Sequence, residues 1–273
     1  MTDILSTILQ PINAALLLAL LVAVAALIRA LLAKEPERPP PSFPAAEPTD
    51  TTVVYEKGNK PLNEDSVLLV KVASKDFAGE SCRLLLAIAD GVGSTENGEK
   101  ASKLCIETLG QLVIPTLAEG INIQQTVLEA FSRANRALAV HDVKARVAST
   151  LTACAVVGTQ LSIAYVGDSR AYLIRGSQAT CLTKDHTVDS SPNMLTRWVG
   201  QEEDFQVDHN RWNIQKSDVI VICSDGVSKY VREHEISLYL TREGLRRGSR
   251  RLAELARSRG SRDDISIVAA VVD

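Results

Sequence analysis

Six of the ten prolines of this 273-residue chain lie between Pro36 and Pro48, and they divide the chain into parts that must fold differently. Proline has no backbone N–H and a fixed φ, so this stretch is unsuited to a helix interior or a central strand. We therefore interpret residues 34–50 as an extended linker with a reach of at most about 50 Å. Residues 51–273 then form one folded body, and residues 1–33 stand apart from it.

The part before the linker is dominated by an apolar run. Every residue from Ala14 to Ile28 is apolar, and a helix from Ile12 to Leu32 would span roughly 30 Å, the thickness of a bilayer core. No Lys or Arg precedes the run, which disfavours a cleaved signal peptide. A buried helix of a soluble protein is disfavoured by the linker that follows. Residues 1–33 are thus predicted to be a single-pass membrane anchor.

Charge restricts the location and the partners of the body. The basic residues near the apolar run, Arg29, Lys34 and Arg38, lie toward its C-terminal end, so the body is predicted to face the cytoplasm at the inner membrane. A net charge of −3 argues against a nucleic-acid-binding protein. Five cysteines without a C-x-x-C pair argue against a disulfide framework or a zinc site.

Hydrophobic periodicity in residues 51–273 predicts an α+β fold. Short apolar runs bounded by turn residues indicate strands, whereas apolar positions at helical spacing indicate helices. Strands that follow one another through short turns, with helices in separate blocks, are typical of antiparallel sheets rather than of a doubly wound parallel sheet. The predicted strands are 66–73, 83–89, 151–157, 161–166, 171–175, 218–223 and 265–272, and the predicted helices are 101–112, 123–139 and 243–258.

Acidic residues recur where the predicted strands begin or end. A single Asp-Gly is a common turn, so one such pair carries little weight. Five of them, each next to an apolar strand, predict carboxylates that converge at a sheet rim and bind hard divalent cations. The five sites are Glu64-Asp65, Asp90-Gly91, Gly167-Asp168, Asp225-Gly226 and Asp263-Asp264.

The order of these motifs resembles the metal-dependent protein phosphatase 2C family, in the form of its bacterial Ser/Thr phosphatases. Each motif alone is weak, but seven in order over nearly all of residues 51–273 are specific. The resemblance implies that the body is a four-layer α-β-β-α sandwich of two antiparallel sheets, preceded here by the predicted transmembrane helix. The motifs are Asn63–Ser66, Ala89–Gly93 with Gly98–Ser102, Ser149–Leu151, Val166–Tyr172, Leu182–Thr187, Cys223–Val227 and Arg262–Ser266.

Carried over motif by motif, the resemblance implies a site for two Mn²⁺ or Mg²⁺ ions. Asp90 bridges the ions, and the Gly91 carbonyl binds one of them. Asp225 and Asp263 bind the other ion; Asp263 is chosen over Asp264 because relatives often carry Asn at that second position. Two such ions lower the pKa of a water and hold phosphate oxygens, so no Cys or Ser nucleophile is needed. Asp90, Asp225 and Asp263 are therefore the implied catalytic residues.

The remaining implied site residues surround this pair of ions. Glu64 and Asp65 are expected near the second ion, directly or through water, and Asp168 matches the ligand of a third, weaker ion. Lys60 stands where relatives usually have an Arg that holds the substrate phosphate, and a Lys offers a point charge instead of a bidentate fork. The alternative is that Lys60 is a solvated surface charge. Val92 replaces a His that some eukaryotic relatives carry as a candidate general acid.

The sequence also departs from the family in length and in charge. Only six residues separate His186 from Asn193, where relatives insert a mobile flap, and a shortened flap is expected to leave the site more open. Eight arginines crowd the last helix and its exit, between Arg242 and Arg262. They are interpreted as a solvated helix face, with contact to anionic lipids or phosphorylated partners as the alternative.

Two functions from different classes compete. The leading hypothesis is a membrane-anchored phosphatase that removes phosphate from Ser and Thr of a phosphoprotein, such as an opposing Ser/Thr kinase or its targets. A phosphatase for an anti-sigma antagonist shares this chemistry and differs only in substrate. The alternative is a pseudophosphatase that acts as a sensor or binding module. Lys60 and the short flap favour it, whereas the retained acidic set disfavours it.

Overall fold

The structure, a computed structural model, describes residues 50–76, 79–92, 97–119, 122–140 and 147–273. The predicted anchor and all but the last residue of the predicted linker lie outside the described residues. Within the part of the chain that is described, no helix combines the length and the apolar composition needed to cross a bilayer.

The described body alternates blocks of strands with blocks of helices. Two helices follow the third strand, and two more lie late in the chain. The strands are β1 (Thr51–Glu56), β2 (Asp65–Asp76), β3 (Gly79–Val92), β4 (Ala148–Ser149), β5 (Leu151–Val157), β6 (Gln160–Val166), β7 (Arg170–Arg175), β8 (Gln178–Cys181), β9 (Thr187–Val188), β10 (Ser191–Leu195), β11 (Asp208–Asn213), β12 (Val219–Cys223) and β13 (Ile265–Val271). The helices are α1 (Asn97–Glu119), α2 (Ile123–Val140), α3 (Asp225–Ser228) and α4 (Glu233–Ser258).

Two antiparallel sheets form the centre of the body. The first has the order β1-β13-β12-β7-β8, and the second has the order β11-β6-β5-β3-β2 with the short β4 paired to β3. Strands β9 and β10 form a separate two-stranded hairpin. The central strands β5 and β12 are buried along nearly their whole length, as expected for strands that are covered on both faces.

Three apolar cores show how the layers are stacked. One lies between the second sheet and helices α1 and α2, and it contains Leu109 and Phe131. Another lies between the first sheet and α4, and it contains Leu252. The third lies between the two sheets, where Ile88 and Ile222 pack. The predicted α+β fold with antiparallel sheets is therefore confirmed, with helices on the two outer faces.

The main differences from the sequence prediction concern polar segments. Strand β11 reads DHNRWN and is mostly exposed, because it forms an edge of the second sheet through backbone pairing with β6 and buries few side chains. Helix α4 begins ten residues earlier than predicted and bends at Gly244, whose φ is 76° and ψ is 166°. Because Gly244 interrupts the helix, the helical spacing of apolar residues is visible in the sequence only for the second half of α4.

Candidate metal centre

Two of the predicted site residues face each other across the β2–β3 hairpin. Asp65 lies directly opposite Asp90 in the strand register, so the two side chains are on the same face of the sheet. Ile88, two residues before Asp90, packs in the core between the sheets, and the strand period of two carries Asp90 to the rim of that layer. Asp65 is 1% exposed. Like charges directly opposite one another are destabilising unless a cation lies between them.

The Ser149-Thr150 pair fixes the backbone that presents Asp90. Thr150 donates its N–H to the Asp90 carbonyl over 2.7 Å, and Ser149 donates its hydroxyl to the same oxygen over 3.0 Å. The Asp90 N–H donates to Thr150 Oγ1 at 3.0 Å. Gly91 is packed so closely that a Cβ at this position would lie 2.1 Å from the Gly98 carbonyl oxygen. The end of β3 is thus held rigidly, with no room for a side chain at position 91.

Asp263 and Asp264 are neighbours with different surroundings. The Asp264 carboxylate accepts the N–H of Gly58 at 2.6 Å and the N–H of Glu64 at 2.7 Å, and Asp264 is 2% exposed. It therefore ties the chain before β2 to the end of the first sheet. The Asp263 side chain is 40% exposed and lies at the groove described below. Of the two, Asp263 is the residue whose carboxylate is available to a ligand.

Arg257 holds the loop that carries Asp263. Its guanidinium donates to the carbonyl oxygens of Asp263 at 2.6 Å, Ser261 at 3.2 Å and Lys57 at 3.2 Å. The last turn of α4 is thereby joined to both chain segments that flank this side of the site. At this arginine, the basic end of α4 serves to position the loop rather than to form a solvated face.

Lys60 lies among the carboxylates. Its Nζ is 2.5 Å from Glu64 Oε2 and 3.3 Å from Asp263 Oδ1. Burial by itself lowers the pKa of Lys60, but the neighbouring Glu64, Asp263 and Asp90 carboxylates raise it, and the net shift is upward. Lys60 is therefore a charged member of the site and not a freely solvated surface lysine.

Asp225 and Asp168 are bridged by a second lysine. Asp225 begins α3, and Asp168 lies in the turn between β6 and β7. Lys229 places its Nζ 2.7 Å from Asp225 Oδ2 and 3.2 Å from Asp168 Oδ2. Since Asp168 is 5% exposed, the ammonium neutralises a carboxylate that has little contact with water. The sequence analysis missed Lys229, because a lysine four residues after an aspartate is a common pair on helix surfaces.

Gly167 and His186 fix the turn that carries Asp168. Gly167 has a φ of 114°, and a Cβ there would lie 2.5 Å from the Cβ of Thr150, so only glycine fits. Its N–H donates to His186 Nδ1 at 3.1 Å. Because Nδ1 accepts, the ring proton is on Nε2, which lies 3.3 Å from Asp208 Oδ2. Burial lowers the pKa of His186, which keeps the ring neutral in this structural role.

The carboxylates of the site hold protons unusually tightly. Burial, with contributions from the Asp264 and Asp225 carboxylates, raises the pKa of Asp65 to about 7. Burial and then the Asp65 and Asp225 charges hold the pKa of Asp90 well above its usual range. Burial and the Asp225 charge raise the pKa of Asp168 to about 6. Such shifts are typical of a site in which several anions await a cation.

The donor set fits hard divalent cations. Oδ1 of Asp225 and both carboxylate oxygens of Asp65 are buried, and none of them makes a hydrogen bond of normal geometry to a described residue. The Ser266 and Ser224 hydroxyls lie close enough to Asp65 to lower its pKa in part. Carboxylate oxygens are the ligands that Mg²⁺ and Mn²⁺ prefer, and buried polar atoms normally find a partner. Within the described ranges, no group of three or more Asp, Glu, His or Cys side chains is arranged closely enough to hold a metal ion; Lys60 and Lys229 contact the carboxylates instead.

A groove of about 1290 Å³ lies over this cluster. Its polar lining includes Lys60, Asp90, Gly91, Asp168, Asp225, Lys229 and Asp263, so seven site residues share one cavity. Glu64 is buried in contact with Lys60, and Asp65 is buried opposite Asp90. The apolar part of the lining includes Val92, Leu138, Val147, Met194, Leu195 and Trp198. This apolar part was not predicted from the sequence.

Three of the five cysteines are not available as nucleophiles. Cys105, Cys154 and Cys223 are buried and unbridged. Burial raises the pKa of each of these thiols to about 12. A thiol is nucleophilic only as the thiolate, so these three residues act as small apolar side chains, in agreement with the sequence analysis.

Known proteins share both the sequence and the fold. Protein phosphatase PhpP of Streptococcus pneumoniae is 24% identical over 213 residues, which cover 70% of this chain and 87% of PhpP. Serine/threonine protein phosphatase PstP of Mycobacterium tuberculosis is 31% identical over 229 residues, which cover 75% of this chain and 43% of PstP. Both relatives are thus protein phosphatases by name, and PstP is a serine/threonine protein phosphatase by name.

Solved structures agree with these relatives. The serine/threonine phosphatase of S. agalactiae superposes with a TM-score of 0.69 at 25% identity, covering 82% of this chain and 99% of that one. The catalytic domain of PstP, in complex with two manganese ions, superposes with a TM-score of 0.67 at 28% identity, covering 82% and 98%. The sequence model of the family described as Protein phosphatase 2C matches residues 62–263. The chain therefore belongs to the protein phosphatase 2C family.

Proposed function

We propose that this protein is a metal-dependent phosphoserine and phosphothreonine protein phosphatase. One observation carries the proposal: Asp65 and Asp90 meet at a sheet rim, and both buried oxygens of Asp65 lack a hydrogen-bond partner among the described residues. Carboxylates in that position need cations. The PstP catalytic domain, which has the same fold, binds two manganese ions, and this supports the same cofactor here.

The residues that would hold two ions come from both sheets. Asp90 would bridge them, with Gly91 and the Glu64 and Asp65 carboxylates on the side of the second sheet. Asp225 and Asp263 would complete the other side. When bound, such ions lower the pKa of a water and draw in the oxygens of a phosphate group. The protein contributes a fixed arrangement of oxygen ligands, since the backbone of Asp90 is held by three hydrogen bonds.

Lys60 is proposed to hold the substrate phosphate. Its ammonium lies between Glu64 and Asp263 and lines the groove, so a phosphate group in the groove would lie beside it. Val92 is exposed at the groove and has no proton to donate. The proton for the departing Ser or Thr oxygen therefore comes from water.

The groove is proposed to be open because the flap is short. Strands β9 and β10 form a compact hairpin where the sequence analysis expects a longer segment in relatives. Met194 on this hairpin is 55% exposed and belongs to the apolar part of the groove lining. An open, partly apolar groove suits an extended phosphoprotein segment, such as one from an opposing Ser/Thr kinase or its targets.

Membrane anchoring is a separate proposal that rests on the sequence. Residues 1–33 contain the apolar run, residues 34–50 the proline-rich linker and residues 51–273 the phosphatase domain, which is placed in the cytoplasm. Alkaline extraction of cell membranes tests this: the full chain should remain in the membrane pellet. Release of the chain into the alkaline supernatant would refute the anchor.

Turnover of a phosphopeptide tests the enzymatic function. The wild type should hydrolyse phosphoserine or phosphothreonine peptides with Mn²⁺, and EDTA should abolish the activity. Asp90→Ala and Asp225→Ala should each lose about 1,000-fold, because bound metal ions contribute several kcal/mol to catalysis. Equal activity of all three proteins would refute the site.

The pairing of site carboxylates with Lys60 and Lys229 favours a pseudophosphatase, in addition to the short flap. A lysine-filled site that admits no ions would make the protein a binding module. Calorimetric titration with Mn²⁺ separates the two functions, because only the phosphatase binds the metal. A wild-type protein that binds no Mn²⁺ and shows no turnover would establish the alternative.

A further inference from the structure

Lys229 lies at the side of the site where the resemblance implies a third ion. Asp168 is the residue assigned to that ion, and Asp225 is the nearest carboxylate that such an ion would share. The Lys229 ammonium lies within 2.7 Å of Asp225 Oδ2 and 3.2 Å of Asp168 Oδ2. These are the same two oxygens that would have to turn toward an added cation.

The two carboxylate oxygens of Asp225 have different surroundings. Oδ2 is bound by Lys229, whereas Oδ1 is buried and has no hydrogen-bond partner among the described residues. The unpartnered oxygen is therefore the one left for the proposed pair of ions. A further ion at Asp225 would have to share Oδ2 with the Lys229 ammonium, so two cations would lie next to each other on one oxygen.

The other basic side chain near Asp168 in sequence is committed elsewhere. Arg170 donates to both oxygens of Asp185, at 2.9 Å and 2.8 Å. In the described residues, Lys229 is thus the basic group that forms an ion pair with Asp168. An ion placed beside Asp168 would lie within a few ångströms of an ammonium, where two like charges repel strongly in a partly buried site.

We propose that Lys229 is a built-in cation that takes the place of a third metal ion, so that this phosphatase binds two divalent ions and not three. The inference rests on the proposed function, because it concerns the same metal centre. It assigns Asp168 to the lysine rather than to a metal. Neutralisation of Asp168 and of one oxygen of Asp225 then does not depend on the concentration of metal.

The test is the number of Mn²⁺ ions bound by the full chain in detergent, measured by calorimetry and by elemental analysis after gel filtration. The wild type should bind about two ions. Lys229→Met removes the charge at similar length, and Lys229→Asp adds an oxygen ligand, so each should bind about three. The additional ion should be lost when Asp168→Asn is combined with either variant. Lys216→Ala, at an exposed lysine just before β12 and at the opposite end of that strand from Asp225, is the matched control and should bind about two ions.

Even if the Lys229 variants do not fold, Asp168→Asn in the otherwise unchanged chain tests whether Asp168 holds a metal ion. We expect no change in the number of bound ions, and a decrease would show that Asp168 holds a metal and would overturn the proposal. A wild type with about three ions, or folded Lys229 variants that both keep about two, would also overturn it. A wild type that binds no Mn²⁺ would instead refute the proposed function.

Discussion

The two sides of the metal centre differ in how their negative charge is compensated. On the side of the second sheet, Asp65 and Asp90 face each other without an ion pair to any described basic residue. On the side of the first sheet, Asp225 is paired with Lys229 and Asp263 with Lys60. Asp65 and Asp90 therefore depend on cations from solution, whereas Asp225 and Asp263, and also Glu64 beside Asp65, are paired with lysines.

This difference assigns different tasks to similar residues. Metal binding should stabilise the uncompensated carboxylates most, because like charges without contact to water are costly in free energy. The lysine-paired carboxylates are already neutralised before a metal arrives. Substitutions on the two sides should thus have opposite effects on the metal-free protein, even where both reduce activity.

The largest expected effect is on the uncompensated side. Asp65→Asn should lower Mn²⁺-dependent turnover by about 100-fold, because a charged oxygen ligand beside the ions is lost. The same change should raise the melting temperature of the metal-free protein by about 3 °C or more, since a buried unpaired charge is removed. Phosphopeptide assays and thermal unfolding in EDTA measure both effects.

Asp225→Asn is the matched variant on the lysine-paired side. It leaves Lys229 with one carboxylate fewer, so the metal-free protein should not gain stability. If Asp65→Asn destabilises the metal-free protein as much as Asp225→Asn does, the distinction between the two sides is wrong.

The neighbours Asp263 and Asp264 sharpen the comparison. Asp264→Asn should destabilise the protein by about 1–3 kcal/mol, because a buried carboxylate that accepts two backbone N–H groups is replaced by a group with one acceptor oxygen. Asp263→Asn should leave stability nearly unchanged while weakening Mn²⁺ affinity by about tenfold or more. Urea unfolding and Mn²⁺ titration of both variants distinguish the roles. Equal loss of Mn²⁺ affinity in the two variants would contradict the assignment of Asp263.

Lys60 should affect substrate binding more than the chemical step. Lys60→Ala should raise KM for a phosphopeptide by about tenfold, as expected for loss of one charge-assisted hydrogen bond worth about 1.5–3 kcal/mol. Lys60→Arg should restore or improve KM, because its fork can bind two phosphate oxygens. If Lys60→Ala leaves both KM and kcat unchanged, Lys60 does not bind the substrate phosphate and is only a surface charge.

The smallest effect is the pH dependence of the metal-free protein. In the folded state the Asp65 pKa is raised to about 7, whereas an unfolded aspartate titrates near about 3.9. The folded state thus binds this proton more tightly, so stability should fall as the pH rises from about 4 to about 7. One titrating group changes stability by at most about 1.4 kcal/mol per pH unit, so the melting temperature in EDTA should fall by about 3 °C per pH unit. Asp65→Asn should reduce that slope, and the raised pKa values of Asp90 and Asp168 should maintain the remainder. An equal slope in the variant would exclude Asp65 as a source.

Much of the fold could be predicted because its central strands are continuous apolar runs. Strand β5 was predicted with its exact ends, and β12 and β13 each to within one residue. Strand β11 could not be found from side-chain pattern, since it is an edge strand that forms through backbone pairing. The first half of α4 was missed because Gly244 interrupts the helical geometry.

The acidic residues of the candidate site could be predicted from the sequence, but their ion pairs with lysines could not. Ordered motifs placed Asp90, Asp225 and Asp263 in one site, and the structure brings all three to one groove. The role of Lys229 depends on the distance between α3 and the β6–β7 turn, which no local pattern contains. The membrane anchor remains a prediction from the apolar run, outside the residues that the structure describes.

The pairing of β2 with β3 makes the metal centre sensitive to strand length. Twelve residue pairs connect Asp65↔Asp90 with Asp76↔Gly79 at the other end of the hairpin. A single inserted residue within either strand shifts the register by one and sends one of the two aspartates to the opposite face of the sheet. The register can change only by whole residues, so the alignment of Asp65 with Asp90 is either kept or lost. Insertions at the turn end leave the alignment of Asp65 and Asp90 intact, whereas insertions within the strands abolish it.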